Sequence, residues 1–260
     1  MEKQPLVTIV TPSYNQAAYL EKTICSVLEQ DYPNIEYIIM DGGSTDESAQ
    51  IISKYADRIG YWESTPDNGQ TDAINKGFSC AHGKILAWLN SDDVLYPHAV
   101  SEAVAFLTEH PEVGMVYGDC DFIDAKGRVI GQFKACQTDL KKLRRGFVHI
   151  PQQASFWRAD LWKKVGPLDD TIFFAMDYDL WLRLAEVSEL RYQKGKPWAA
   201  FRLHENAKTV SADDRCWPDM LRIHRRNGGS AFSLLYCKYL LRKVLAPLIR
   251  KRRRNMFENG

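Results

Sequence analysis

Residues 35–46 read Ile35-Glu36-Tyr37-Ile38-Ile39-Met40-Asp41-Gly42-Gly43-Ser44-Thr45-Asp46, an apolar run that stops at an acid, two glycines and a set of helix-capping side chains. Ile35 to Met40 reads as a buried strand and Thr45 to Asp57 as the helix that follows. Upstream, Leu6 to Val10 is a second short strand that ends at Thr11-Pro12. Ala17 to Gln30 then places Leu20, Thr23, Ile24, Val27 and Leu28 at helical spacing. Downstream, Ile59 to Glu63, Thr71 to Cys80 and Ile85 to Leu89 continue as strand, helix and strand. Strands separated by helices call for an α/β fold with a mostly parallel sheet, helices on both faces, and ligands at the carboxyl ends of the strands.

Beyond that series, Pro97 to His110 reads as a helix opened by proline. Val113 to Tyr117 is a strand, and Asp121 to Ile123 joins Val129 to Phe133 through Ala125-Lys126-Gly127 as a hairpin. A helix is expected over Tyr178 to Glu186, with short strands around Leu190 to Tyr192 and Trp198 to Leu203. With 260 residues, 45% hydrophobic and 26% charged, the chain is long and apolar enough for a sizeable core, which argues against wholesale disorder. Six cysteines without a C-x-x-C pair suggest neither a zinc knuckle nor a redox dithiol, and fit a reducing compartment. The start of the sequence lacks the apolar core of a signal peptide, and no apolar stretch reaches spanning length, so a cytoplasmic protein is expected.

The acids at the strand ends are the candidates for chemistry. Asp41 heads a turn in which Ser44 or Thr45 could simply cap a helix, and the glycines do not match the G-x-G-x-x-G dinucleotide pattern. Asn90-Ser91-Asp92-Asp93 sets two adjacent carboxylates at the end of Leu86 to Leu89, which is costly unless a cation lies between them or the turn is simply solvated. His204 follows a late strand and becomes a metal ligand only if it converges with those aspartates. Asp177 opens a helix beside apolar residues; it reads as an N-cap or as a general base with a raised pKa. Asp72, Asn75 and Lys76 share the helix after Gly69-Gln70, where Asp72 favours the helix dipole.

Taken together, these motifs resemble family 2 glycosyltransferases of the GT-A fold, in the group that builds bacterial surface polysaccharides. The resemblance covers roughly residues 5–210 and rests on six motifs in order. These are Val10-Thr11-Pro12-Ser13-Tyr14-Asn15, Asp41-Gly42-Gly43-Ser44-Thr45-Asp46, Asp72-Ala73-Ile74-Asn75-Lys76-Gly77, Asn90-Ser91-Asp92-Asp93, Asp177-Tyr178-Asp179-Leu180-Trp181-Leu182-Arg183 and Arg202-Leu203-His204.

The resemblance implies a nucleotide-diphospho-sugar donor, with uridine the expected base and a saccharide or lipid-linked acceptor. It places Thr11, Pro12 and Tyr14 near the base, with Asp41 hydrogen-bonded to it, and Asp72, Asn75, Lys76 and Asp92 around the donor. It makes Asp93 and His204 the ligands of a divalent metal, Mn²⁺ or Mg²⁺, and Asp177 the base of an inverting transfer. Two positions depart from the family pattern: Asn90, where many members have Asp, and Met176, where many have Glu.

The charge divides unevenly. Residues 230–260 carry eight Lys/Arg and one Glu, leaving 26 basic and 32 acidic residues for the rest. This shift coincides with Asn227-Gly228-Gly229-Ser230, and the sequence divides into a glycosyltransferase domain over 1–210 and a helical extension over 211–260. In the extension, Leu234, Cys237, Leu241, Val244, Leu245 and Leu248 fall on one helical stripe, before a bend expected at Pro247 and the basic run Arg250-Lys251-Arg252-Arg253-Arg254. That pattern reads as a peripheral anchor on an anionic membrane or as a core-docked helix, and nucleic acid is not an expected partner. Rival readings are a nucleotidyltransferase and a non-catalytic, membrane-anchored donor-binding scaffold.

Overall fold

The computed structural model describes residues 4–205, 207–208, 216–230, 233 and 235–245. The main sheet contains β1 (Val7–Ser13), β2 (Ile35–Asp41), β3 (Tyr61–Ser64), β4 (Ile85–Trp88), β6 (Val113–Tyr117), β9 (Ser155–Arg158) and β10 (Glu189–Tyr192), in the order β10-β6-β9-β4-β1-β2-β3. The pairs β1–β2, β1–β4, β2–β3 and β6–β10 are parallel, whereas β9 runs antiparallel between β4 and β6. A second sheet joins β5 (Val94–Leu95), β11 (Ala199–Arg202), β7 (Cys120–Ile123) and β8 (Val129–Phe133) in that order.

Helices α1 (Ala17–Leu28), α2 (Ser48–Lys54), α3 (Gln70–Ser79) and α4 (Ala99–Glu109) follow in the first half of the chain. The second half adds α5 (Leu140–Arg144), α6 (Ala159–Val165), α7 (Met176–Val187) and α8 (Cys216–Arg226). Alternation along the strands sends side chains to two cores. Val7, Ile9, Tyr37 and Ile39 pack with Leu20, Ile24 and Val100 on one face. Val10, Ile38 and Met40 pack with Ile74, Phe78 and Trp181 on the other. Both faces are thereby covered, which is what permits central strands without polar alternation. At Gly77 a Cβ would lie 2.4 Å from Val10 Cγ1, so only glycine lets α3 press this closely on β1.

The α/β alternation and the β7–β8 hairpin follow the sequence reading. The helix expected over 45–57 shortens to α2 and a 3-10 turn at Ala56–Arg58. Strands β5 and β9 and helices α5 and α6 lie outside that reading.

The described residues of the expected extension over 211–260 pack on the rest of the chain. The Phe174 N–H donates to Asp219 Oδ2 at 2.7 Å, Arg226 pairs with Asp169 at 2.9 Å and also with Asp179, and Leu235 packs where Gly146 leaves room for it. Residues 235–245 are helical. Of the expected stripe, Cys237 is exposed, Leu241 and Val244 are 61% and 76% exposed, and Leu245 is half-buried. Leu234, Pro247, Leu248 and the basic run at 250–254 lie outside the described residues. No helix among the described residues is long and apolar enough to cross a membrane.

Candidate active site

A cavity of about 1070 Å³ opens at the carboxyl ends of β1, β2 and β4 and is closed on its far side by the second sheet. Pro12, Ser13 and Tyr14 line it from β1 and its following loop, Gly42 and Gly43 from the turn after β2, and Asn90, Ser91 and Asp92 from the turn after β4. Ala175, Met176 and Asp177 line it from the start of α7.

The loop after β4 separates its two acids. Asp93 is fully buried. Its Oδ1 accepts the Arg202 N–H at 2.9 Å, and its Oδ2 accepts from Gln153 Nε2 at 2.9 Å and Asn90 Nδ2 at 3.2 Å. Burial, then the neighbouring Asp92 charge, pushes its carboxyl well above the ordinary range. Asp92 points into the cavity, and its Oδ2 lies 3.0 Å from His204 Nε2. The His204 ring rests 4.5 Å from that of Tyr19, and Arg202 Nε donates to the Asp92 carbonyl at 2.8 Å, so the end of β11 is fastened to this loop. Asp93, expected to ligate a metal, has both oxygens occupied by protein donors; the acid beside His204 is Asp92.

Among the described residues no group of three His, Cys, Asp or Glu side chains forms a metal site. Asp92 nonetheless lines the cavity with its carboxylate, and the His204 imidazole nitrogen lies directly against that carboxylate from behind. That donor set fits a divalent cation completed by phosphate oxygens and water.

At the start of α7, Ala175 adopts the left-handed conformation (φ 56°) ahead of the helix. Asp177 is the second helical residue, so it does not cap the helix as the sequence suggested. Its Oδ1 accepts the Tyr178 N–H at 2.8 Å, and burial raises its pKa. Asp179, two residues on, is buried and held by Arg183 at 2.9 Å and by Arg226. Of the two acids, Asp177 is the one that lines the cavity.

The remaining expected contacts divide. Pro12 and Tyr14 line the cavity, and Tyr14 is 60% exposed. Thr11 lies behind the wall with its hydroxyl accepting from Tyr37 at 3.0 Å. Asp41 is also buried: it accepts from the Ser44 N–H and from the hydroxyls of Ser44 and Ser64, fixing the β2 turn instead of facing the cavity. Asp72 is paired with Lys76 at 3.0 Å, and Asn75 forms two hydrogen bonds with the Leu168 backbone. None of these three α3 residues is among those lining the cavity.

Among the cavity residues outside the sequence reading, four stand out. Ser13 lines the cavity, and its Oγ is buried without a hydrogen-bond partner. Asp67 closes over Gly42, where a Cβ would come within 2.7 Å of its carboxylate. Gln70 Nε2 donates to Asn90 Oδ1 at 2.7 Å, while Gln70 Oε1 accepts from Lys208 Nζ at 2.9 Å. Lys208 also caps the Phe173 carbonyl, and burial lowers its pKa to about 8. Ser13 sits inside a motif that was quoted; Lys208 gave no signal, because its placement depends on the fold of the segment after β11.

Residues 8–163, more than half the chain, match the family described as Glycosyl transferase family 2. The chain belongs to that family. An uncharacterized glycosyltransferase of Rickettsia prowazekii is 32% identical to it over 203 residues, which cover 72% of this chain and 61% of that protein. The chain thus spans less than two thirds of this relative's length. Among solved structures, S. aureus TarS in complex with UDP-GlcNAc superposes with a TM-score of 0.68 at 18% identity, over 90% of this chain and 71% of that one. The mannosyltransferase PcManGT of Pyrobaculum calidifontis, in complex with GDP-Man and Mn²⁺, gives 0.65 at 18% identity over 92% and 70%. These likenesses establish the GT-A fold.

Proposed function

We propose that this family 2 chain is an inverting, metal-dependent glycosyltransferase that moves a sugar from a nucleotide-diphospho-sugar to a saccharide or lipid-linked acceptor in surface polysaccharide assembly. The observation that carries the reading is that Asp92, with His204 bonded to its carboxylate, and Asp177 border one cavity at the carboxyl ends of the strands. The TarS and PcManGT complexes hold a nucleotide-sugar, and UDP is the first choice of donor nucleotide. In this reading Pro12, Ser13 and Tyr14 bound the base end.

Asp92 and His204 would hold a divalent cation, which when bound would stabilise charge on the departing diphosphate. The acceptor hydroxyl attacks the anomeric carbon from the face opposite the diphosphate. Its proton passes to Asp177 as the carbon–oxygen bond to the diphosphate breaks, and the diphosphate leaves with the electron pair. A raised pKa suits Asp177 to that exchange, because it makes the carboxylate a stronger base. The exposed Leu241 and Val244, beside Lys238 and Lys243, support peripheral attachment to the cytoplasmic face of an anionic membrane.

Calorimetric titration of nucleoside diphosphates and their sugar conjugates, with Mn²⁺ and then with excess chelator, tests the reading. One nucleotide is expected to bind in a metal-dependent manner; no binding under any condition would overturn it. Metal-dependent binding without turnover across an acceptor panel would favour the scaffold.

A further inference from the structure

The far wall of the cavity is made of one face of the second sheet, and its composition differs from that of the donor end. Strand register sets Phe122 opposite Phe201 on β11 and opposite Gly131 on β8, with Cys120 opposite Phe133. All three phenylalanines line the cavity, and each is only half-buried. Phe122 meets Phe201 at 6.1 Å and Phe133 at 6.3 Å, edge to face in both cases. The polar side chains of the same strands turn the other way: Gln132 donates to Asp121 at 3.2 Å on the opposite face.

Gly131 is not itself among the cavity-lining residues; on the face of β8 that carries Phe133 it leaves a notch beside Phe122. A Cβ built there would find its nearest neighbour, Phe122 Cδ2, at 3.5 Å, an ordinary contact, so the space is open without strain. Ile150 extends the apolar lining.

From this wall we infer that the acceptor carries an apolar group, an aryl ring or an alkyl chain, next to its reacting hydroxyl, seated on Phe122, Phe133 and Phe201 in the notch at Gly131. The inference rests on the glycosyltransferase reading for the position of the hydroxyl and adds the acceptor's chemical class. A bare saccharide could lay only its C–H face on these rings, and its hydroxyls would find no hydrogen-bond partner among them. An apolar aglycone instead removes its own surface and that of three rings from water.

The test uses the full chain and reads binding by calorimetry, with the nucleoside diphosphate and Mn²⁺ present and absent. The probes are methyl, octyl and 4-nitrophenyl β-D-glucoside, the octyl compound below its micelle concentration. The octyl or the nitrophenyl glycoside is expected to bind about tenfold or more tightly than the methyl glycoside. A preference for octyl alone identifies a lipid chain and a preference for nitrophenyl an aromatic group, each supporting the assignment.

Gly131→Leu should fill the notch and erase that preference while nucleotide binding stays unchanged; Phe133→Gln provides the same test by making the wall polar. Equal binding of all three glycosides, or a preference that survives both substitutions, would overturn the inference. Absence of nucleotide binding with the apolar preference intact would instead remove the donor reading and leave the apolar subsite standing.

Discussion

The turn after β4 and the start of α7 each carry two neighbouring acids, and in each the fold assigns them opposite tasks. Asp92 and Asp177 face the cavity; Asp93 and Asp179 turn inward and hold backbone and side chains in place. The two inward acids are held differently. Asp179 is neutralised by two arginines, whereas Asp93 has only a backbone N–H and two amides and is pushed toward its protonated form. Full charge compensation suits an acid that ties α8 to α7. Amide contacts leave Asp93, directly behind Asp92, without a cationic partner on its carboxylate.

This contrast predicts which substitutions unfold the protein and which only disarm it. Asp179→Ala leaves Arg183 and Arg226 facing a buried gap and is expected to cost about 3 kcal/mol, read from chemical denaturation. Asp93→Ala strands three donors and should cost about 2 kcal/mol in the same assay. If either variant proves as stable as the parent, the division between inward and outward acids fails at that site. Asp92→Asn should leave the denaturation midpoint almost unmoved while weakening metal-dependent nucleotide binding by about tenfold or more, measured by calorimetry.

The smallest effect is a pH slope. Because the native pKa of Asp177 lies above its unfolded value, the native state holds more protons between the two, and stability falls as pH rises through that window. Asp177→Asn removes this term, so thermal melts of the variant should decline less between the ordinary carboxylate range and neutrality. An identical slope in both proteins would mean that Asp177 is not shifted.

The βα repeats from Leu6 to Leu89 were readable because each element is long, periodic and closed by a turn signal. Strand β9 was not: Ser155–Arg158 is four residues with a paired environment supplied by β4 and β6, neither of them adjacent in sequence. The site was readable as a set of motifs but not as a set of directions. Adjacent residues such as Asp92 and Asp93 differ only in which way the backbone turns them, and that depends on Arg202, 109 residues beyond Asp93.

The same dependence accounts for Asn90. Its amide donates to Asp93 and Gln152 and accepts from Gln70, a combination that a carboxylate could not supply. Asp41 and Asn75 show the complementary case, since polar residues at a strand end or helix face satisfy buried backbone and hydroxyl groups as readily as they meet a ligand.

Sugar transfer by wild type and Asp177→Asn, assayed side by side with donor affinity, tests the central claim most directly. The expected result is a product of inverted anomeric configuration from the wild type. The variant should bind nucleotide-sugar equally well but transfer it about 10²- to 10⁴-fold more slowly. Undiminished transfer by the variant, or a product of retained configuration, would contradict the assignment of Asp177 as the base.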